Sequence, residues 1–178
     1  VSSLAQPGGN ITGTTDYSAA LLGKRQELLK EVVPKVSRFA FLNDGGSAAS
    51  KPMFKDGQAA AQALGVKLQL IEVKFPDPDL EGAFRAMAKE RIGAVITGSG
   101  NVGSSLHRKK ILALVEQARM PAIYATEPWI AAGGLMYYGA NDPDLFRRGG
   151  DLRRQDPQKA KPADLPVEQP MKFDLGIN

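Results

Sequence analysis

Short apolar segments of this chain alternate with polar clusters and with helical spacing of apolar residues. Three β-type runs, 39–42, 94–96 and 122–124, each lead into a cluster rich in Gly, Ser, Asn, Thr or Asp. Apolar residues at helical intervals follow the clusters. This alternation predicts an α/β fold, with a doubly wound parallel sheet and helices on both faces.

The same patterns place the individual elements. Helices are predicted at about 21–33, 49–64, 80–92, 104–118 and 142–150, with one helical turn at 128–132. Strands are predicted at 10–12, 36–42, 66–73, 93–97, 121–125 and 135–138, and the alternation within 66–73 is typical of a strand near a sheet edge. We expect residues 1–150 to form an α/β ligand-binding lobe and residues 151–178 a polar, proline-rich tail with a short terminal strand.

The polar clusters are the candidate site. Parallel strands leave their carboxyl ends on one edge of the sheet, and ligands of open α/β sheets bind at that edge. The clusters at 43–50, 97–105 and 125–127 should therefore lie together. A helix is predicted to start after Asn43, and its free N–H groups, with Ser47 or Ser50, could bind an anion. The same residues could instead be an ordinary strand-to-helix turn with a serine cap.

Composition narrows the function classes. The 178 residues include 43% apolar residues, no cysteine and a net charge of +4. A mean hydropathy of −0.23, and no apolar run near the ~18 residues of a membrane span, describe a soluble globular protein. The absence of cysteine excludes disulfides, thiolate catalysis and cysteine-ligated metals. The basic residues are scattered, which favours solvated helix faces over a nucleic-acid partner.

The sequence carries no strong catalytic or metal signature. The run 98–103 matches G-x-G-x-x-G, but it follows a middle strand and lacks a well-placed acidic residue about 20 positions on. The single histidine, His107, has no triad partners and no partner metal ligands, so we expect a surface helix residue. We therefore predict no catalytic residues, no metal and no cofactor, with a nucleotide-dependent enzyme as the least favoured alternative.

Aromatic and acidic residues near the strand ends leave alternatives open. Tyr124 and Trp129 could stack on a ligand or could belong to the core. Asp16, Asp44 and Glu127 could act as acid or base if the fold brings them together.

Three segments resemble one family. Residues 4–16 are similar to the LA-PGGN-TG-S motif of ABC-transporter substrate-binding proteins in the group of tryptophan- and phenylalanine-binding lipoproteins. Residues 23–34 resemble that group's GKRLELLKE-VP helix, and residues 161–178 its KPADLPVEQPTKFELVIN segment. The resemblance covers nearly the whole chain.

The resemblance implies one lobe of a type I periplasmic-binding-protein fold. Family members place this region after an N-terminal lobe of about a hundred residues, so the chain resembles a C-terminal lobe plus the returning tail. A lobe face left uncovered would favour a homodimer. The expected ligand-binding residues are Thr14, Thr15, Asp16, Asn43, Ser99, Gly100, Asn101, Thr126 and Glu127.

The implied function is solute binding without catalysis. The chain would bind a small polar metabolite, such as an amino acid, in an interlobe cleft and deliver it to an ABC permease. Asp16 or Glu127 would pair with an amine, and Tyr124 or Trp129 would pack on an apolar part. The implied location is periplasmic or lipoprotein-anchored, with no signal in this chain. An effector-binding regulatory domain of the same fold is the main alternative.

One segment departs from the family pattern. Relatives carry an amphipathic helix where this chain has the polar run 152–158. We hypothesise a local, compensated frameshift there, which resequencing the gene would test.

Overall fold

The computed structural model describes residues 3–15, 18–154 and 161–178. It consists of two compact units. Unit 1 contains Val1–Tyr17 and Ala140–Asp174, and unit 2 contains Ser18–Gly139 and Leu175–Asn178.

Helices and strands alternate along the chain as the sequence predicts. The helices are α1 (Ser18–Val32), α2 (Ser50–Ala63), α3 (Leu80–Lys89), α4 (Ser105–Gln117), α5 (Pro128–Ala131) and α6 (Asp142–Arg154). The strands are β1 (Arg38–Asp44), β2 (Lys67–Val73), β3 (Ala94–Thr97), β4 (Ala122–Tyr124), β5 (Met136–Ala140) and β6 (Phe173–Ile177). Two 3-10 turns lie at Gly100–Gly103 and Pro162–Asp164.

The six strands form one sheet in the order β2-β1-β3-β4-β5-β6. The first five strands pair in parallel, which confirms the doubly wound parallel sheet. Strand β2 lies at one edge, as its alternating pattern predicts. The last strand runs in the opposite direction, since Asn178 N donates to Leu135 O and Asn141 N donates to Lys172 O. The sheet is therefore mixed at the β6 edge.

Apolar side chains fill both faces of the sheet in unit 2. Alternate residues of a strand point to opposite faces, so Phe39 and Phe41 pack with Leu22 of α1 on one side. Leu42 packs with Met87 of α3 on the other side. A strand with helices on both faces is apolar throughout, and this explains the continuous apolar run in β1.

Local signals set the ends of several helices. Asp79 caps α3, because its Oδ1 accepts from Gly82 N at 2.7 Å. Gly65, with a φ of +64°, follows α2 in the left-handed conformation that commonly ends a helix. Asn141 begins α6, since its Oδ1 accepts from Asp144 N at 2.8 Å.

Unit 1 differs from the sequence-based expectation in two places. The predicted strand at 10–12 is wrong, and Thr14 instead forms a single parallel bridge with Glu168. Helix α6 continues past the predicted end near residue 150 to Arg154. Part of the segment 152–158, the subject of the frameshift hypothesis, lies outside the described residues.

Backbone hydrogen bonds pair the tail between 161 and 168 with the N-terminal segment of unit 1. Gly8 N donates to Ala163 O, and Val167 N donates to Leu4 O. The Thr12 hydroxyl donates to Leu165 O at 3.0 Å. Residues 4–16 and 161–178, two segments that carry the family resemblance, are thus joined by hydrogen bonds. Across the described ranges, no helix has the length and apolar character needed to cross a membrane.

Candidate functional site

The carboxyl ends of β1, β3 and β4 lie side by side in the sheet of unit 2. The turn after Asn43 follows β1, the segment 98–103 follows β3, and Thr126 and Glu127 follow β4. Neighbouring parallel strands place these segments on one edge, as the sequence pattern predicts. This edge is the candidate binding site.

A side-chain hydrogen bond joins the first two segments. The amide Nδ2 of Asn101 donates to Oδ2 of Asp44 at 2.7 Å. The second carboxylate oxygen, Oδ1, accepts from Gly46 N at 2.8 Å. Asp44 is buried while Asn101 and Gly46 are exposed. The contact therefore fixes a carboxylate just beneath exposed loops, a feature that sequence reasoning did not include among the site residues.

The glycines after β3 have structural reasons of their own. A Cβ on Gly98 would overlap Oδ1 of Asn43, so only glycine fits beside that buried side chain. Gly100 adopts a φ of +72°, which favours glycine. A 3-10 turn at Gly100–Gly103 separates β3 from α4, whereas the dinucleotide motif opens directly into its helix. Packing thus accounts for Gly98 and backbone conformation for Gly100, whereas the space around residue 103 does not require glycine.

The turn after β4 is anchored by α1. Arg25, only 1% exposed, donates from Nε to Tyr138 O at 2.7 Å. Its Nη2 lies 3.5 Å from Ala125 O, the residue before the predicted site residues Thr126 and Glu127. A buried guanidinium thus bonds to a carbonyl in the middle of β5 and to the carbonyl that directly follows β4. Sequence reasoning missed this role, although an arginine among apolar helix positions is a usable signal.

The two aromatic residues near this edge belong to the core. Trp129 and Tyr124 are both buried, and their rings stack at 4.3 Å. Burial raises the pKa of Tyr124 above its ordinary value of 10.0. The guanidinium of Arg108 covers the Trp129 ring at 5.7 Å and donates to Gly103 O. The expectation that either ring packs on a ligand is therefore wrong.

Thr14 and Thr15 lie in unit 1. Thr15 N donates to Glu168 O at 2.9 Å, and Glu168 N donates to Gly13 O at 2.9 Å. Arg148 forms an ion pair of 2.8 Å with Glu168. Both threonines are half-buried and held by backbone pairing with the tail. Asp16 lies outside the described residues.

The structure brings most predicted residues of unit 2 to one edge. Asn43 lies near the end of β1, and Asn101 lies in the segment after β3, where its amide contacts Asp44. Thr126 is half-buried and Glu127 exposed, and their carbonyls accept from Trp129 N and Ile130 N at the start of α5. Ser99 is half-buried and Gly100 exposed on the same edge.

We also considered metal ligands, the single histidine and a second cavity as alternative sites. Within the part of the chain that the structure describes, no group of His, Cys, Asp or Glu could hold a metal ion. His107 is half-buried on α4, with its ring 5.0 Å from that of Phe75. A cavity of about 570 Å³ next to Met120, Gly133 and Leu135 lies at the amino ends of β4 and β5. This is the edge opposite to the candidate site, and the fold places ligands at the carboxyl ends.

Comparisons with known proteins agree with this fold. A family model described as ABC transporter substrate binding protein matches residues 1–178. No curated protein sequence matches the chain at a significant level.

Three solved structures illustrate the likeness. An ABC domain from Streptococcus pneumonia in complex with L-Trp is 22% identical, with a TM-score of 0.86 over 99% of this chain and 59% of that chain. A conserved domain protein from Vibrio cholerae O1 biovar El Tor is 23% identical, with a TM-score of 0.87 over 99% and 58%. A LacI family transcriptional regulator from Bifidobacterium animalis subsp. lactis is 11% identical, with a TM-score of 0.71 over 93% and 62%.

These likenesses show the type I periplasmic-binding-like fold. The chain spans less than two thirds of each of the three structures. The family model, in contrast, matches the chain from end to end. The chain therefore belongs to the ABC transporter substrate-binding protein family.

Proposed function

We propose that this chain is the solute-binding lobe of an ABC importer's receptor and binds a small polar metabolite at the carboxyl edge of its sheet. Asn43, Ser99, Gly100, Asn101, Thr126 and Glu127 would contact the ligand in unit 2. Ligand binding by Thr14, Thr15 and Asp16 stays a prediction from the sequence. The observation that carries the proposal is the convergence of the loops after β1 and β3, joined by the bond between Asn101 and Asp44.

An amino acid is the first ligand class to test. The Streptococcus structure of the same fold holds L-Trp, and backbone N–H groups with short polar side chains suit a zwitterion. At 22% identity the likeness extends to the fold alone. The identity of the ligand must therefore come from the protein itself.

Native mass spectrometry of the purified chain tests the proposal. We expect a complex whose excess mass, after denaturation, is identified as a small polar metabolite. Replacing Asn101 with Ala should reduce the bound fraction, whereas Gln58→Ala removes an exposed amide from α2 and should leave it unchanged. A co-purified nucleotide would contradict the proposal and favour an enzyme built around 98–103.

The proposed partners follow from receptor function. A membrane permease would receive the solute, and the protein would act in the periplasm or at an extracytoplasmic lipid anchor. A homodimer also remains a prediction. Sedimentation velocity at increasing protein concentration would detect it as a rise in the mean sedimentation coefficient, and an unchanged coefficient would contradict it.

A regulatory effector domain is the second candidate. The likeness to a LacI family transcriptional regulator favours it, because it shows that a regulator can have the same fold. The two candidates share the ligand-binding edge and differ in the partner. Reconstitution with a cognate permease in liposomes would separate them, because only an importer receptor should stimulate ATP hydrolysis on adding solute.

A further inference from the structure

Asp44 is a buried carboxylate whose hydrogen-bond partners are both neutral. The residue is 8% exposed at the end of β1. Its two described partners are the backbone N–H of Gly46 and the side-chain amide of Asn101. The carboxylates that form ion pairs within residues 3–15, 18–154 and 161–178 include those of Glu27, Glu81, Asp144 and Glu168.

This arrangement leaves capacity for a further donor. An ionised carboxylate offers about four lone-pair positions, and the two described hydrogen bonds occupy one on each oxygen of Asp44. A buried charge is costly unless it is paired. The two neutral donors fix the orientation of the carboxylate but do not neutralise it. A cation reaching this carboxylate would gain a strong, charge-assisted hydrogen bond.

The surroundings add negative charge at the same edge. Glu72 lies beside Asn43 in the register of β1 and β2. A Cβ on Gly45 would lie 3.2 Å from the Glu72 Cβ, and Ser50 Oγ donates to Glu72 Oε1 at 3.2 Å. Glu72 is exposed, as are residues 45–49 of the loop. Alternate residues of a strand point to opposite faces, so Glu72 shares the face of Asn43 and Asp44 lies on the other face. A cationic group beside Asn101 therefore meets the Asp44 carboxylate, and Glu72 adds negative charge at the same end of the strands.

We propose that Asp44 is the specificity-determining residue for a cationic group of the solute. An ammonium or guanidinium group would donate to the Asp44 carboxylate while Asn101 and Gly46 hold that carboxylate in place. The site would then select amine-bearing metabolites over carboxylic acids that lack an amine. This inference rests on the proposed function and names its substrate class.

Isothermal titration calorimetry with defined probes tests the inference. The panel consists of the twenty L-amino acids, putrescine, propionate, benzoate and succinate. For each amino acid that binds, its decarboxylated amine and its deaminated acid are added. We expect every compound that binds to carry an amine, with the deaminated acid at least about tenfold weaker than the parent.

Two variants assign the amine preference to this residue. Asp44→Asn should reduce the preference for the amine to less than about threefold. Asp56→Asn makes the same charge change on the exposed surface of α2 and should leave the preference intact. Because Asp44→Asn also disturbs two hydrogen bonds, the exchange D44N/N101D restores a complementary pair. It should regain stability and part of the amine preference.

Three results would overturn the inference. Binding of propionate, benzoate or succinate in place of amines would overturn the inference and leave the proposed function intact. An unchanged amine preference in a folded D44N variant would do the same. Failure of the wild-type protein to bind any compound of the panel would reject the proposed function, and the inference with it.

Discussion

The side-chain oxygen of Asn43 occupies the position that a Cβ of residue 98 would require. Asn43 is buried at the end of β1, and Gly98 follows β3, its neighbour in the sheet. The backbone N–H of Gly98 donates to Leu42 O at 2.9 Å, so the two segments cannot separate freely. Glycine at 98 is therefore a packing requirement of the site edge.

Gly98→Ala should destabilise the protein by about 1–3 kcal/mol, since the new methyl group overlaps a buried side chain. The third glycine of the same motif, Gly103, provides the control. Its Cβ position is 3.8 Å from Trp129 Nε1, which is an ordinary contact, so Gly103→Ala should be tolerated. Urea denaturation gives the free energy of unfolding of both variants, and equal losses would contradict the packing explanation.

Two helical glycines should respond to alanine in opposite directions. A Cβ on Gly57 of α2 would lie 2.5 Å from Leu22 Cδ2, so Gly57→Ala should cost about 1–3 kcal/mol. Gly150 of α6 has open space around its Cβ position, and alanine there should stabilise by roughly 0.5–1 kcal/mol. Thermal unfolding of both variants checks the signs. Stabilisation by Gly57→Ala would show that α1 and α2 pack less closely than described.

Arg25→Met should destabilise the protein by about 1.5–3 kcal/mol, because the carbonyl of Tyr138 loses a charged donor in a buried position. The exposed Arg85 on α3 is the control, and Arg85→Met should change the free energy of unfolding by less than about 0.5 kcal/mol. Chemical denaturation with urea gives both values. A loss no larger than that of the control would mean that the bonds of Arg25 to Tyr138 and Ala125 do not stabilise the fold.

The ion pair of Asp144 with Arg147 should make the stability of the protein fall as the pH is lowered below about 4. A hydrogen bond from Arg147, with the charge of Lys172 in support, holds the pKa of Asp144 below its ordinary value of 3.8. The folded state thus favours the charged form, which stabilises the protein above pH 3.8 and ceases to do so as the pH falls through the lower native pKa.

Asp144→Asn should therefore lose less stability than the wild type between pH 4 and pH 2. Arg147→Met removes the main cause of the lowered pKa of Asp144. It should therefore also reduce the change in stability between pH 4 and pH 2. Urea midpoints measured across this range provide the comparison. Wild-type and Asp144→Asn curves that remain parallel would refute the role of this ion pair.

The sequence predicted the elements of unit 2 well because their apolar spacing is regular. Buried strands such as β1 and capped helices such as α3 are determined by local signals, and so is the alignment of strand ends on one edge. The pairing of Thr14 with Glu168 was not predictable in this way. It joins residues far apart in the chain through backbone hydrogen bonds, which leave no periodic pattern.

Contacts between side chains of separate segments also could not be predicted from the sequence. Asp44 was noted for its chemistry, but its bond to Asn101 depends on the order in which β1 and β3 lie in the sheet. Arg25 likewise acts on carbonyls of strands about a hundred positions away. The roles of Trp129 and Tyr124 stayed open in the sequence because an aromatic residue near a strand end can belong to a core or to a ligand pocket.

The most direct test of the central claim is an amide chemical-shift map of the ¹⁵N-labelled protein during titration with the probe that binds most tightly. If the carboxyl edge is the binding site, the largest shifts will belong to Asn43, Asp44, Ser99, Gly100 and Asn101. Shifts concentrated instead around Met120, Gly133 and Leu135, at the opposite edge, would contradict the account.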